Sequence, residues 1–312
     1  MTPTTAIVLA AGQGTRMKSA LPKVMHAVSG LPIVHFGIQA ALDAGCAEVV
    51  VVVGHGREAV EAYVARAFAG AKDASGAPRV RTAVQEQQRG TGDAARAGLA
   101  AVGAAAERIL VMNGDVPLLR GDDLRQVLAA LDGVTPAPAP ALALATCVVA
   151  DPAGYGRVLL QAGKVALIRE HRDLRDDAER AVREINAGIY AASVALFREG
   201  LASLTPNNAQ GELYLTDVVA FAAAAGRQIT TVRLGEDVLA GVNDRDQLAS
   251  VDRAMQARLL RAWRTAGVTV RDGARIEASV HLEPDVTVES GAVLRGRTRV
   301  GRGSTVDVGC VL

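Results

Sequence analysis

The stretch LAAGQGTRMKSALPK, residues 9–23, decides the fold, because an apolar run leads directly into a glycine-rich loop. The apolar run predicts a buried strand. Gly12 and Gly14 let the backbone turn after it and point N–H groups at an anion. Arg16 and Lys23 add a guanidinium and an ammonium, which suit a polyphosphate. By itself the pattern also fits an ordinary strand and turn with surface basic residues.

The composition of the 312-residue chain favours a globular protein that acts on small molecules. Half of the residues are hydrophobic and 3% are aromatic, so aliphatic side chains build the core. The length suggests about two domains. The net charge is +1 and basic blocks are lacking, so we expect neither a nucleic acid nor a membrane as partner.

Cysteine usage and the N-terminal residues favour a cytoplasmic location. The three cysteines lie far apart, in neither disulfide-framework nor metal-ligand spacing. Residues 1–5 lack the charged and apolar regions of a signal peptide, and the chain lacks any run of about 18 apolar residues. We therefore expect a soluble protein of the reducing cytoplasm.

Alternating helical and strand patterns predict an α/β fold with a mostly parallel sheet covered by helices on both faces. Ligands of such sheets bind beyond the carboxyl ends of the strands. The predicted helices are residues 31–44, 57–68, 93–106, 124–131, 213–225 and 246–265. The predicted strands are residues 6–11, 48–53, 79–84, 108–112, 141–149, 157–160, 164–168, 185–191 and 229–234. Residues 135–141, TPAPAPA, are interpreted as a solvated spacer.

The C-terminal tail follows a different period. Apolar residues recur every six positions, at Val270, Ile276, Leu282, Val288, Leu294, Val300, Val306 and Leu312. This period is typical of a hexapeptide β-helix, whose stacked short strands bury one residue per face. Three hexapeptides per turn give about two coils, and solenoids generally need about three repeats. We expect a truncated β-helix at residues 267–312, joined by a connecting helix at 246–266 to a catalytic domain at 1–245.

Polar residues that could carry chemistry follow the predicted strands. Asp115, in LVMNGDVPL, is a candidate Mg²⁺ ligand because this ion prefers one or two carboxylates with substrate oxygens and waters. Asn243, in AGVNDR, offers a second oxygen but equally suits a helix cap. Gln85 and Gln88, in VQEQQRGTGD, carry the donor and acceptor groups that a base edge requires. A plain polar loop remains an alternative for this segment.

A second set of polar residues suits a sugar. Gly156, Glu170 and Asn186 combine an open backbone with side chains that hydrogen-bond hydroxyl groups. Glu170 could equally be a surface carboxylate. The sequence shows no nucleophile–base pair, which fits nucleotidyl transfer to a phosphate, because that acceptor is already anionic.

The ordered motifs resemble those of the bacterial bifunctional N-acetylglucosamine-1-phosphate uridylyltransferases/glucosamine-1-phosphate acetyltransferases, within the sugar-nucleotidyltransferase superfamily. The resemblance spans nearly the whole chain and rests on LAAGQGTRMKSALPKVMH, QRGTGDA, NGDVPL, GYGRV, IREH, EINAGIYA, NNAQGELYLTD and GVNDR. It implies a Rossmann-like nucleotidyltransferase domain, a long helix and a left-handed β-helix. The family commonly has Tyr where this chain has Asn113, which bears on the sugar contacts at that position.

The resemblance also implies roles for individual residues. Uridine would contact Leu9, Ala10, Ala11, Gly12, Gln85, Gln88 and Gly90. N-acetylglucosamine 1-phosphate would contact Thr91, Gly156, Glu170 and Asn186, and Gly14, Thr15 and Gly114 would complete the substrate-binding loops. Arg16, Lys23 and Asp115 would be catalytic, with Arg16 and Lys23 on the triphosphate and Asp115 and Asn243 on Mg²⁺.

The implied reaction converts UTP and N-acetylglucosamine 1-phosphate into UDP-N-acetylglucosamine and pyrophosphate, for peptidoglycan and lipopolysaccharide precursors. The family's acetyltransferase histidine lies beyond the equivalent of Leu312, so we expect no acetyl transfer by these residues. Two coils also argue against the family's homotrimer. The alternatives are a nucleotidyltransferase for another substrate, such as a cytidylyltransferase, and an inactive scaffold protein. A dehydrogenase is less favoured, because Met17 occupies the third glycine position of GxGxxG.

Overall fold

The computed structural model describes residues 2–133 and 139–312. The predicted spacer at 135–141 therefore lies largely outside the described residues. The α-helices are α1 Ile33–Asp43, α2 Arg57–Ala67, α3 Thr91–Ala100, α4 Gly121–Ala129, α5 Asp177–Ala181, α6 Val194–Ala202, α7 Asp217–Ala224 and α8 Arg245–Thr265. In this part of the chain, none of these helices combines the length and apolarity needed to span a membrane.

A twisted sheet of nine strands forms the centre of the described residues. Its strands are β1 Thr4–Leu9, β4 Glu48–Val53, β5 Val80–Val84, β6 Arg108–Asn113, β7 Leu142–Val148, β8 Arg157–Gln161, β9 Lys164–Arg169, β10 Glu184–Ser193 and β11 Ile229–Arg233, while β2 Ala27–Val28 and β3 Leu31–Pro32 pair with each other outside it. The main path of the sheet runs β11-β7-β10-β6-β1-β4-β5, and β8 pairs with both β10 and β9. Among the described strands of this sheet, only β10, β8 and β9 run antiparallel to their neighbours, so the prediction of a mostly parallel sheet is confirmed.

Helices cover both faces of this sheet because its central strands are apolar on both sides. Ala6 and Val8 of β1 face a core that contains α1, α2 and α4. Ile7 faces the opposite core, which contains α3, α6 and α7. The continuous valine run of β4, residues 49–53, is therefore buried throughout, as expected for a strand with helices on both faces.

The C-terminal tail forms the predicted parallel β-helix. Its rungs are β12 Thr269–Val270, β13 Arg275–Ile276, β14 His281–Leu282, β15 Thr287–Val288, β16 Val293–Leu294, β17 Arg299–Val300 and β18 Thr305–Val306. Val270 pairs with Val288 and Val288 with Val306, so three hexapeptides make one coil. All members of the apolar series are buried except Leu312, which is 52% exposed, so the prediction is wrong for that residue.

The hairpin formed by β2 and β3 joins the sheet domain to α8 and the β-helix through hydrogen bonds. Ser29 at its turn is 1% exposed and has a positive φ of 46°. Its N–H and hydroxyl donate to Asp252 of α8, and its carbonyl accepts from Ala278 of the β-helix. Gln256 of α8 donates to the Ser29 hydroxyl and to the Ile276 carbonyl. The three units therefore meet through buried hydrogen bonds.

Several predicted boundaries are wrong, and hydrogen bonds to a distant segment of the chain explain one of them. The helix predicted at 213–225 begins at Asp217, because Leu213 and Leu215 instead donate to Arg89 and Thr91 across the molecule. The first strand ends at Leu9 rather than at residue 11, where the chain enters the glycine loop. The helix predicted at 93–106 is the shorter α3, Thr91–Ala100. The sequence reasoning missed α6 and the β2–β3 hairpin altogether.

Candidate active site

The glycine loop follows the carboxyl end of β1 and lines a cavity of about 710 Å³, called here the loop cavity. Gly14 has a φ of +61°, and a Cβ there would lie 2.5 Å from the Cβ of Lys23. A side chain at Gly14 would therefore displace Lys23. A Cβ at Gly12 would meet nothing within 4 Å, so its backbone is open to a ligand. The predicted residues in this cavity are Leu9, Ala10, Ala11, Gly12, Gly14, Thr15, Arg16, Lys23, Gln85, Gln88, Gly90 and Thr91.

Lys23 joins the two predicted metal ligands. Its Nζ lies 2.5 Å from Asp115 Oδ2 and donates to Asn243 Oδ1 at 3.2 Å. The Val242 N–H donates to the Asp115 carbonyl at 2.9 Å, which holds the two ligand-bearing loops side by side. Residues 220 positions apart in sequence thus converge on one cationic nitrogen.

Two further hydrogen bonds fix these loops. The Gly114 N–H donates to the Leu9 carbonyl at 2.9 Å, and a Cβ at Gly114 would lie at the same distance from that oxygen. The Asn243 N–H donates to Gln247 Oε1 in the first turn of α8. Asp115 and Asn243 are therefore held by the ends of β1 and α8, which are rigid elements.

The two glutamine side chains differ in what they leave available to a ligand. Gln88 donates through Nε2 to the Ala11 carbonyl at 2.8 Å and so ties its loop to the glycine loop. Gln85 is buried, and its Nε2 donates to the Gly90 carbonyl at 3.2 Å and to Asp93 at 3.0 Å. Gln85 therefore keeps its carbonyl oxygen for a ligand in the loop cavity.

A second cavity of about 460 Å³, called here the strand cavity, lies beyond β8, β9 and the start of β10. It is lined by Gly156, Glu170 and Asn186, the residues that the sequence pattern assigned to a sugar. The Asn186 N–H donates to the Gly156 carbonyl at 2.9 Å, and Asn186 Oδ1 accepts from Gly188. A Cβ at Gly156 would lie 2.9 Å from Ile168, so only glycine keeps this wall open.

Glu170 is a half-buried carboxylate of the strand cavity. Burial raises the pKa of its carboxyl group, and the nearby Asp173 and Asp217 carboxylates raise it further. The Thr216 hydroxyl donates to Glu170 Oε1 at 3.2 Å and acts in the opposite direction. Glu170 is therefore a shielded acceptor rather than the surface carboxylate that the sequence left open.

The two cavities meet at one wall. Both are lined by Arg16, Thr91, Asn113 and Asp115. Two ligands that fill them would therefore touch beside Arg16 and Asp115, with Lys23 close by. Asn113, which the sequence reasoning did not assign to the site, stands at this junction at the end of β6. The sequence signal for Asn113 was its place as a polar residue directly after the buried strand predicted at residues 108–112.

The oxygens of Asp115 and Asn243 fit Mg²⁺. One carboxylate and one amide carbonyl leave positions for phosphate oxygens and waters, which this ion prefers. Both oxygens also contact the same ammonium group of Lys23, so their geometry already accommodates a cation. Among the described residues, no three His, Cys, Asp or Glu side chains cluster as a metal site, so a protein-only metal cage is absent there.

The fold is that of a nucleotidyltransferase domain, and two adjoining cavities lie beyond its strands. The sequence profile of the MobA-like NTP transferase domain matches residues 6–191. The chain is 51% identical over its full length to the bifunctional protein GlmU of Sorangium cellulosum, and it covers 64% of that protein. It is 42% identical to the bifunctional protein GlmU of Cutibacterium acnes over 96% of the chain and 71% of that protein. The chain belongs to the GlmU family of nucleotidyltransferases.

Solved structures share the fold at lower identity. A UDP-glucose pyrophosphorylase complexed with UDP-glucose superposes with a TM-score of 0.63 at 19% identity, covering 83% of this chain and all of that one. An inositol-1-phosphate CTP transferase from T. maritima gives 0.59 at 17% identity, covering 82% and 96%. The chain spans slightly less than two thirds of the length of the Sorangium relative and 62% of a GlmU protein from Anaeromyxobacter dehalogenans.

Proposed function

We propose that this chain transfers uridylyl groups, making UDP-N-acetylglucosamine and pyrophosphate from UTP and N-acetylglucosamine 1-phosphate for cell-wall precursor synthesis. The observation that carries the proposal is the meeting of the loop and strand cavities at Arg16 and Asp115. A reaction that joins two substrates needs two such sites with adjoining ends. The motif resemblance of the whole chain supports this particular pair of substrates.

The loop cavity suits UTP. Open backbone at Gly12, together with Arg16 and Lys23, offers N–H groups and positive charge to a triphosphate. Gln85 presents a carbonyl oxygen, because its amide group is engaged by Gly90 and Asp93. Uracil carries an N3–H donor that this acceptor matches, whereas cytosine N3 carries a lone pair.

The strand cavity suits the sugar phosphate. Glu170 accepts hydrogen bonds from sugar hydroxyl groups, and the Asn186 carboxamide offers both donor and acceptor capacity. The glycine at 156 leaves room for a sugar ring beside Glu170. The phosphate would lie at the shared wall, next to Arg16 and Thr91.

The arrangement supports a direct displacement. A phosphate oxygen of the sugar phosphate attacks the α-phosphorus of UTP and forms a P–O bond, while the bond to the β-phosphate breaks and pyrophosphate leaves. Arg16 and Lys23 offset the negative charge on the departing pyrophosphate. Asp115 and Asn243 would hold Mg²⁺, which supplies further charge neutralisation when bound. The nucleophile is already an anion, so the step requires no general base.

Pyrophosphate release with N-acetylglucosamine 1-phosphate, Mg²⁺ and each of UTP, CTP, ATP and GTP tests the proposal. We expect release with UTP and its loss in Asp115→Ala. The matched control is Asp122→Ala, which removes an exposed carboxylate of α4 and should keep wild-type activity. Preferred turnover of CTP would establish a cytidylyltransferase, and no release above the Asp115→Ala level with any nucleotide would indicate an inactive scaffold. Either result would overturn the proposal.

A further inference from the structure

Asp93 lies behind Gln85, in the first turn of α3. Its side chain is 10% exposed, and its two carboxylate oxygens have different partners. Oδ2 accepts from Gln85 Nε2 at 3.0 Å, and Oδ1 accepts from the Arg89 guanidinium at 2.8 Å. Asp93 does not line the loop cavity, so it reaches a ligand there only through Gln85.

The Asp93 carboxylate dictates which end of the Gln85 amide faces the ligand. A carboxylate has acceptor oxygens only, so Gln85 must turn its NH₂ group toward Asp93. The Gly90 carbonyl also accepts from this NH₂ group, at the longer distance of 3.2 Å. Gln85 Oε1 then remains for the loop cavity, and no donor among residues 2–133 and 139–312 bonds to it.

We propose that Asp93 is the positioning residue that sets the base specificity of the loop cavity, by holding Gln85 with its carbonyl oxygen toward the base. This inference rests on the proposed function. A fixed acceptor favours a base with an N–H at position 3, as in uracil, over one with a lone pair there, as in cytosine. A glutamine free to rotate its amide would accept both, since its NH₂ group can donate to cytosine N3.

The decisive variant is Asp93→Asn, which keeps size and shape but adds a donor. The introduced carboxamide can bond to either end of the Gln85 amide, so only the longer contact with the Gly90 carbonyl still favours the original orientation and Gln85 can adopt the second one. We expect the ratio of kcat/KM for UTP to that for CTP to fall by roughly tenfold or more, because sites built around one hydrogen bond reject the mismatched ligand through that bond. A purely structural role would lower both values together and leave their ratio unchanged.

Arg89→Met is the matched control. It removes the other partner of Asp93 but leaves the Gln85–Asp93 bond, so the nucleotide ratio should stay at the wild-type value. Asp93→Ser provides a second variant, since a hydroxyl can donate or accept. The ratio of UTP to CTP affinity, measured by calorimetry, gives the same comparison for a variant that turns over slowly.

The outcomes separate the two proposals. If the wild-type protein shows no preference for UTP, the proposed function fails. If the wild-type protein prefers UTP and both Asp93 variants keep the full preference, the function stands and the role of Asp93 is wrong. Relaxed preference in both Asp93 variants, with an unchanged ratio in Arg89→Met, supports the inference.

Discussion

The hydroxyl of Thr216 donates to Oε1 of Glu170 across 3.2 Å, and Thr216 is only 4% exposed. The preceding residue, Leu215, donates its N–H to the hydroxyl of Thr91 at 3.0 Å. Two consecutive residues therefore connect the strand cavity, through Glu170, with the loop cavity, through Thr91. This short segment belongs to NNAQGELYLTD, for which the sequence alone suggested no chemical role.

Replacing Thr216 with Val should shift the pH dependence of sugar-phosphate binding. Burial raises the pKa of Glu170, whereas the Thr216 hydrogen bond lowers it, so losing that bond raises the pKa further. The carboxylate is the form that accepts from sugar hydroxyls, so affinity is lost as pH falls through this pKa. In Thr216→Val we expect the rise in KM for the sugar phosphate to begin at a higher pH than in the wild type.

KM and kcat for both substrates, measured across pH, check this expectation. Thr216→Ser restores the hydroxyl and should restore the wild-type profile. The KM for UTP should show no matching shift, because Glu170 lies outside the loop cavity. Superimposable profiles for the wild type and Thr216→Val would show that this hydrogen bond does not govern binding.

Removing Asn243 should raise the Mg²⁺ requirement. Its side-chain oxygen is one of the two protein oxygens that converge on Lys23 Nζ. We expect Asn243→Ala to need at least roughly tenfold more Mg²⁺ for half-maximal pyrophosphate release, since even outer partners of metal ligands change affinity by about this factor. The control is Asn207→Ala, an exposed position. An unchanged Mg²⁺ titration in Asn243→Ala would remove Asn243 from the metal site.

Gly90→Ala should destabilise the protein more than a substitution at an unobstructed glycine. Gly90 has φ +106° and ψ 177°, a conformation that costs other residues about 1–3 kcal/mol. A Cβ there would also lie 2.6 Å from the Leu213 carbonyl oxygen. At Gly76, with φ +86°, nothing lies within 4 Å of a Cβ, so Gly76→Ala should cost only about 1–2 kcal/mol of left-handed strain.

Urea unfolding of both variants measures the difference in free energy. The excess in Gly90→Ala reports the crowding against Leu213. Equal losses in the two variants would mean that the segment at Leu213 moves aside freely.

Gln256→Leu should loosen the β-helix from the sheet domain. The Gln256 amide is buried and satisfies both the N–H and the carbonyl of Ile276. Leucine leaves these two groups and the Ser29 hydroxyl without that partner, at about 1–3 kcal/mol for each buried unsatisfied group. Hydrogen exchange across residues 269–306 should accelerate, with little change in the sheet. Gln126→Leu, at an exposed position of α4, is the control, and matching exchange rates in both variants would contradict the expectation.

The fold could be predicted largely from the sequence because its signals are local. Glu48–Val53 is a continuous run of strand-forming residues, and the six-residue period of the tail determines its coils. Boundaries failed where distant contacts replaced local preference. Residues 213–216 have helical apolar spacing, but the N–H groups of Leu213 and Leu215 pair with the segment around Thr91.

The residues of the candidate site likewise divide into those with a local sequence signal and those that depend on distant partners. Residues next to strand ends, such as Gly156 and Asn186, were predicted and line one cavity. Thr216 and Asp93 were missed because each acts through a partner from another part of the chain, and a hydroxyl or carboxylate in a helix start has an ordinary explanation as a cap. The contact between Lys23 and Asn243 joins residues 220 positions apart, which no local pattern reveals.

The coil of the β-helix constrains how this part of the chain can change in length. Val270, Val288 and Val306 stack on one another at intervals of 18 residues, so each of the three sides of the β-helix is built from every third hexapeptide. Adding or deleting 18 residues preserves the side on which each surface residue lies. Adding or deleting six residues keeps the apolar interior, but each later residue then lies on the neighbouring side of the coil. Inserting or deleting one hexapeptide would therefore rotate the surface that follows it relative to the surface that precedes it. The apolar core of the β-helix does not prevent such a change, because every hexapeptide contributes the same kind of buried residue.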